Sequence, residues 1–205
     1  MDFDALGRSV REQLDSKNAA REQGLRLCRQ TVRLSANAIR AVHRSEAGLA
    51  DELLSQALTC LNDAQAALKE HPDIRHAGFF HDAAKEYAEG MITKAVVFGE
   101  PIPTPEDISV DAAAYLNGMG EAAGEMRRHL LDLMRSSNIG RAEQVLGTMD
   151  DIYYLLTSID FPEAMTGGLR RTTDAVRAIL ERTRGDLTTT IIQSRLIEAL
   201  EAKEK

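Results

Sequence analysis

The first 46 residues contain no proline, and this constrains the fold of the chain more than any other feature. Proline ends or kinks a helix, so such a stretch permits one very long helix, with a bend near Ser16 as an option. Leu25, Val32 and Ile39 recur at helical spacing along it. No β pattern, repeat of fixed period or low-complexity segment follows. The sequence therefore predicts an all-α fold.

Turn signals divide the chain into seven predicted helices. The third is preceded by Pro72, the fourth is capped by Ser109, and the sixth ends at Gly185. Three prolines between 101 and 105 make the one conspicuous loop. The helices are predicted at 2–46, 49–70, 74–98, 109–136, 140–158, 169–184 and from 186 into the charged tail. Short connections favour antiparallel neighbours, so we expect one seven-helix antiparallel bundle forming a single domain over residues 1–205.

Composition narrows the class of protein. Hydrophobic residues make up 43 % of the chain, which argues against disorder, and no apolar run approaches the roughly 20 residues of a membrane span. The acidic amino terminus lacks the apolar stretch of a secretory signal. Cys28 and Cys60 are most simply buried, reduced thiols, so we expect a cytoplasmic protein without a membrane partner. A formal net charge of −7 argues against non-specific nucleic-acid binding over the whole surface, but not against a local basic site.

Three carboxylates share one face of the predicted third helix. Asp82, Glu86 and Glu89 fall within about 60° of one another around the helix axis. Like charges at this spacing repel, so a divalent cation or an arginine cluster would stabilise them; a solvated acidic face is the alternative. Carboxylate oxygens alone suit Mg²⁺ or Mn²⁺.

The first helix carries a stripe of basic side chains. Its members are spaced three or four residues apart and fall within about 60° on a helical wheel. They are Arg26, Arg29, Arg33, Arg40 and Arg44, and the uncharged Asn37 continues the same spacing between Arg33 and Arg40. Such a stripe can follow a phosphate backbone, and ion pairing with acids of neighbouring helices is the structural alternative.

Two later helices carry further acids. In the predicted fourth helix, Glu121, Glu125, Arg128 and Asp132 have the spacing of an internal ion-pair ladder. The predicted fifth helix carries Asp150 and Asp151. Surface solvation is the default interpretation of that aspartate pair, although Asp151 shares a face with Gly147 and Tyr154.

Several segments resemble the translin family. Residues 85–89 (Lys-Glu-Tyr-Ala-Glu) resemble the Gln-Glu-Tyr-Val-Glu segment of translin-associated factor X. Residues 115–118 (Tyr-Leu-Asn-Gly) followed by 124–128 (Gly-Glu-Met-Arg-Arg) resemble the family's Tyr-Leu-x-Gly…Gly-Glu-Leu-x-Arg block. Residues 21–44 resemble the opening of translin, which also ends in Val-His. The segment Thr-Arg-Gly-Asp-Leu at 183–187 is similar to the archaeal translin-like branch.

The resemblance implies a fold, an assembly and an activity. The family is all-α and forms hollow octamers; translin binds single-stranded nucleic acid, and the factor X subunit is an Mg²⁺-dependent endoribonuclease. The catalytic and metal-binding acids of that subunit match Glu86, Glu89 and Asp151. A further family glutamate falls on Ala83, for which Asp82 is the candidate substitute. This implies an endoribonuclease acting on single-stranded RNA inside a homo-oligomer, with single-stranded DNA as a further possible ligand. The proposed phosphate contacts are Arg26, Arg29, Arg33, Arg40 and Arg44.

Three other interpretations stay open at the level of sequence. One is a translin-type protein that binds single strands without cleaving them. Another is an all-helical carboxylate–metal hydrolase acting on nucleotides, for which a long arginine stripe would be excessive. A helical scaffold with purely structural ion pairs is the third. Since aromatic residues make up only 4 % of the chain, we expect base stacking to contribute little and sequence preference to be weak.

Overall fold

The computed structural model describes residues 2–203, and all of its regular secondary structure is helical. The helices are α1 (Phe3–His43), α2 (Ala47–Ala67), α3 (Pro72–Arg75), α4 (Phe79–Phe98), α5 (Ala112–Arg135), α6 (Ile139–Ser158), α7 (Glu163–Thr166) and α8 (Leu169–Glu201). No strand occurs in this part of the chain, so the all-α prediction is confirmed. Glu204 and Lys205, the end of the predicted charged tail, lie outside the described residues.

Residues 2–203 contain eight helices rather than the predicted seven. Two of them, α3 and α7, are single turns of four residues. Helix α3 begins at Pro72, and its second half was predicted as the start of a longer helix. Helix α7 follows Pro162, where the sequence predicted only a break. The sixth and seventh predicted helices are a single helix, α8, which runs through Gly185. The predicted stop at Gly185 is therefore wrong.

Contacts with α5 explain why α8 continues through Gly185. The guanidinium of Arg127 donates to Thr183 Oγ1 at 3.0 Å and to Asp186 Oδ2 at 2.7 Å, on either side of the glycine. Thr183 and Leu187 are buried. A glycine inside a helix costs only about 1 kcal/mol relative to alanine, and these contacts offset that cost.

The start of α5 lies two residues later than the predicted cap. Asp111 is the N-cap residue, and its Oδ1 accepts the backbone N–H of Ala114 at 3.0 Å. Ser109 adopts a φ of 55°, in the turn before the helix. The prediction that Ser109 caps this helix is wrong, because the next good capping side chain along the chain has the extended backbone that a cap requires.

Within the described part of the chain, residues 2–90 form one compact unit in which α1 packs along α2. Small side chains allow the two helices to approach closely, and fully buried alanines among them are Ala38, Ala41, Ala50, Ala57 and Ala64. A Cβ on Gly24 would approach the side chain of Leu68 to 2.9 Å. Residues 3–23 of α1 contribute no buried side chain to this unit.

Both cysteines lie in the core of this unit as free thiols, as predicted. Burial raises the pKa of the Cys28 thiol to about 11, because the thiolate would lose its hydration. Burial also raises the pKa of Cys60, an effect that Asp63 reinforces and Arg33 opposes. Both side chains are therefore neutral near neutral pH.

Residues 91–203 form a second compact unit, built on α5, α6 and α8. Its largest fully buried side chains include Met126, Leu130, Met149, Leu156, Val176 and Leu187. The buried side chain of Asn117 donates to the carbonyl of Thr166 at 2.8 Å and accepts from Thr172 Oγ1 at 2.6 Å. This network joins α5 to α7 and α8.

The boundary between the two units falls within α4, after Gly90. The prediction of a single domain over residues 1–205 stays a prediction. Among the described residues, no helix is both long and apolar enough to cross a bilayer.

Candidate metal centre and nucleic-acid interface

Glu86 and Glu89 lie one turn apart on α4, and both are half-buried. Ala84, Tyr87 and Ala88 are buried, and helical spacing places them on the opposite side of the helix. Burial raises the pKa of Tyr87, so its phenol is neutral. The packing of one side of α4 thus fixes the side on which the two glutamates lie.

Glu121 on α5 completes an acidic group with these two glutamates. One carboxylate oxygen from each of Glu86, Glu89 and Glu121 lies within 4.8 Å of the other two. Three carboxylates this close repel unless a positive group offsets their charge. Carboxylate oxygens are the donors that Mg²⁺ and Mn²⁺ prefer, so the three residues fit a hard divalent cation.

The sequence did not predict Glu121 as part of this group. Its spacing with Glu125, Arg128 and Asp132 was interpreted as an ion-pair ladder. Part of the ladder is confirmed, because Arg128 Nη1 lies 3.7 Å from Glu125 Oε2. Asp132 instead pairs with Arg135 at 3.4 Å. A spacing pattern within one helix carries no signal for a group that draws on two helices.

Three arginines of the predicted stripe line a groove on α1 with a volume of about 690 Å³. Arg26, Arg29 and Arg33 are exposed, and Glu22, Gln23, Leu25 and Gln30 complete the lining. Within residues 2–203, none of these three arginines forms a hydrogen bond or an ion pair. Structural ion pairing therefore does not explain this part of the stripe, and the guanidinium donors are available to an anionic ligand.

The other two arginines of the stripe have local partners. Arg40 donates to Asn37 Oδ1 at 2.8 Å, one turn away on the same helix. Arg44 donates to both carboxylate oxygens of Glu46, at 3.1 and 2.8 Å. Its hydrogen bonds with Glu46 raise the pKa of Arg44 and lower the pKa of Glu46. The structural alternative of ion pairing thus applies to Arg44, although both arginines are exposed.

Comparison with known proteins identifies the family. No family model matches the chain. A structure of AfC3PO in complex with duplex RNA is 30 % identical in sequence, with a TM-score of 0.83, and the match covers 91 % of this chain and 96 % of that one. A crystal structure of AfC3PO is 31 % identical, with a TM-score of 0.82 and coverage of 91 % and 97 %. Both are translin-family structures. This chain belongs to the translin family.

Two further proteins are similar to this translin-family chain. The uncharacterized protein MJ0175 of Methanocaldococcus jannaschii is 30 % identical over 192 residues, which cover 91 % of this chain and 83 % of that protein. The crystal structure of apo-NeC3PO shares the fold, with 22 % identity, a TM-score of 0.75 and coverage of 92 % and 97 %.

The translin resemblance assigns metal roles to positions outside the group of Glu86, Glu89 and Glu121. Ala83, on which a further family glutamate falls, is fully buried here, where a carboxylate would lack water. Asp82 is exposed in the first turn of α4, and Asp151 is exposed on α6. Neither aspartate belongs to the group. Their metal-binding and catalytic roles stay predictions.

Proposed function

We propose that this translin-family protein is a metal-dependent endoribonuclease that cleaves single-stranded RNA. The observation that carries the proposal is the group of three carboxylates from Glu86, Glu89 and Glu121. A structure of AfC3PO, a relative of similar length, in complex with duplex RNA supports RNA as the class of polymer.

Mg²⁺ is the proposed ion, with Mn²⁺ as the alternative. Glu86, Glu89 and Glu121 would hold it through carboxylate oxygens, and Asp151 is the further catalytic acid that the resemblance implies. When bound, the ion supplies Lewis-acid chemistry, lowering the pKa of a coordinated water and stabilising charge on phosphoryl oxygens. Asp82, which lies outside the group, is the substitute ligand that the resemblance implies.

The arginine groove on α1 would hold the RNA strand by its phosphates. Arg26, Arg29 and Arg33 offer guanidinium donors that no other side chain within residues 2–203 occupies. Arg40 and Arg44 extend the stripe along the same helix and retain donors beyond those used by Asn37 and Glu46. Phosphate contacts position a strand without selecting its sequence, so we expect weak sequence preference.

We also propose that the protein acts as a closed homo-oligomer, an octamer by resemblance, in the cytoplasm. Two helices expose rows of large apolar side chains, which are typical of surfaces that contact another chain. They are Phe3, Leu6, Val10 and Leu14 on α1, and Ile192, Leu196, Ile197 and Leu200 on α8. A hollow shell would admit flexible strands more readily than long rigid duplexes.

A cleavage assay tests the proposal. The purified protein is incubated with end-labelled single-stranded and duplex RNA, with Mg²⁺ or with EDTA, beside the double variant Glu86→Gln/Glu89→Gln. These changes remove charge while keeping side-chain shape. We expect Mg²⁺-dependent internal cleavage of the single strand by the native protein and at least a hundredfold slower cleavage by the variant. Asp151→Asn, measured in parallel, shows whether the acid implied by resemblance also serves catalysis.

A second candidate function is single-strand binding without cleavage. The groove of Arg26, Arg29 and Arg33 favours it, because it does not depend on the acidic group. Under this function the native protein binds RNA, no cleavage appears with Mg²⁺ or Mn²⁺, and the glutamate variant binds as tightly as the native protein. Release of pyrophosphate from nucleoside triphosphates, with intact RNA, would instead indicate a nucleotide hydrolase.

A further inference from the structure

In the second unit, helices α6 and α8 line an open surface pocket of about 370 Å³. This pocket is separate from the arginine groove and from the acidic group. It is lined by two tyrosines, one leucine and four charged side chains: Tyr153, Tyr154, Leu180, Asp150, Arg177, Glu181 and Arg184. This pocket collects two of the four tyrosines of a chain in which aromatic residues make up only 4 %.

Tyr154 does not serve the packing of α6. Its side chain is 67 % exposed, whereas Met149, Ile152 and Leu156 supply the buried face of the helix. Its ring centroid lies 6.0 Å from that of Tyr153, with the planes tilted by 51°. The contact with Tyr153 supports the exposed ring of Tyr154, and a planar group can stack on the free face of that ring.

Two ion pairs frame this platform. Arg184 pairs with Asp150, and Arg177 Nε donates to Glu181 Oε1 at 3.1 Å. The first pair joins α8 to α6, and the second lies within α8. Together they make the summed formal charge of the side chains that line the pocket zero. A neutral pocket attracts a free phosphate dianion weakly, and it accepts the uncharged, flat face of a nucleobase at little cost. The arginines keep further N–H donors for the edge of such a ligand.

Tyr154 also lies one helical turn after Asp151, so the two side chains share a face of α6. We propose that this pocket is a nucleobase subsite, in which the ring of Tyr154 stacks on one base of the RNA strand. The inference rests on the proposed function for the identity of its ligand. The subsite would contact a base of the strand, whereas the α1 groove would contact only its phosphates.

Fluorescence of 2-aminopurine tests the stacking directly. A single-stranded oligoadenylate with one central 2-aminopurine is titrated with the full-length protein in EDTA, so that binding is measured without cleavage. Stacking on the Tyr154 ring should quench the probe on binding. We expect Tyr154→Ala to abolish that quenching and to weaken binding roughly fivefold or more, while Tyr154→Phe retains both. Phe161→Ala, a second exposed aromatic outside the pocket, is the matched control and should behave as the native protein.

Three results would overturn the inference. Quenching and affinity unchanged in Tyr154→Ala would show that the ring does not contact the strand. A changed oligomeric mass for that variant in light scattering, with quenching restored at higher protein concentration, would assign Tyr154 to an interface between copies. Failure of the native protein to bind the strand would overturn both the inference and RNA as its ligand. Binding and quenching without Mg²⁺-dependent cleavage, by contrast, would contradict only the nuclease proposal.

Discussion

Arg26, Arg29 and Arg33 differ from the rest of the basic stripe because, within residues 2–203, no side chain forms a hydrogen bond or an ion pair with them. Arg44, by contrast, is held by both oxygens of Glu46. The same helical spacing therefore produces two kinds of arginine, and only the local partner distinguishes them. The three without a partner in the described residues are the ones that line the groove.

We expect Arg29→Gln and Arg33→Gln each to weaken RNA binding to a similar extent for every strand sequence. Each change removes a phosphate contact, so the slope of log affinity against log salt should flatten by about one. Fluorescence anisotropy at several salt concentrations measures this slope. The matched control is Arg135→Gln, an exposed arginine on α5 outside the groove, for which no change is expected. A slope unchanged in the groove variants would rule out their phosphate contacts.

At the scale of elements, the ends of the helices show which local signals the fold uses. Asp111 accepts the N–H of Ala114 and begins α5, whereas Ser109 lies in the preceding turn with a positive φ. Both residue types are good caps, and the backbone conformation decides between them.

We therefore expect Asp111→Ala to lower the free energy of unfolding by about 1 kcal/mol. For a chain of this size, that corresponds to a fall in Tm of roughly 2–4 °C. Thermal melts followed by circular dichroism measure the change. The control Ser109→Ala should melt within about 1 °C of the native protein, since it removes no cap; equal losses for both variants would contradict the assignment.

Most of the helical architecture could be predicted from apolar spacing and from the prolines. The errors lie where contacts between segments distant in sequence outweigh a local signal. Gly185 is a good helix stop by itself, but Arg127 binds Thr183 and Asp186 on either side of it, and α8 continues. The single turns α3 and α7 are too short for a period of 3.6 residues to indicate them.

For the whole molecule, the candidate site was predicted only in part. The spacing of Glu86 and Glu89 on one helix face identified two members of the acidic group, because a period within one helix brings them together. Glu121, 32 positions after Glu89, joins them through tertiary structure, which no local pattern encodes. The family membership is confirmed, whereas the roles of Asp82 and Asp151 stay predictions.

The central claim is that Glu121 shares a divalent cation with Glu86 and Glu89, and the Mg²⁺ dependence of RNA cleavage tests it most directly. Single-turnover rates are measured across a Mg²⁺ titration for the native protein, Glu121→Gln and the control Glu143→Gln, an exposed glutamate on α6 outside the acidic group. We predict that Glu121→Gln needs at least about tenfold more Mg²⁺ for half-maximal rate, while Glu143→Gln follows the native curve. A Glu121→Gln curve that superimposes on the native one would contradict the account.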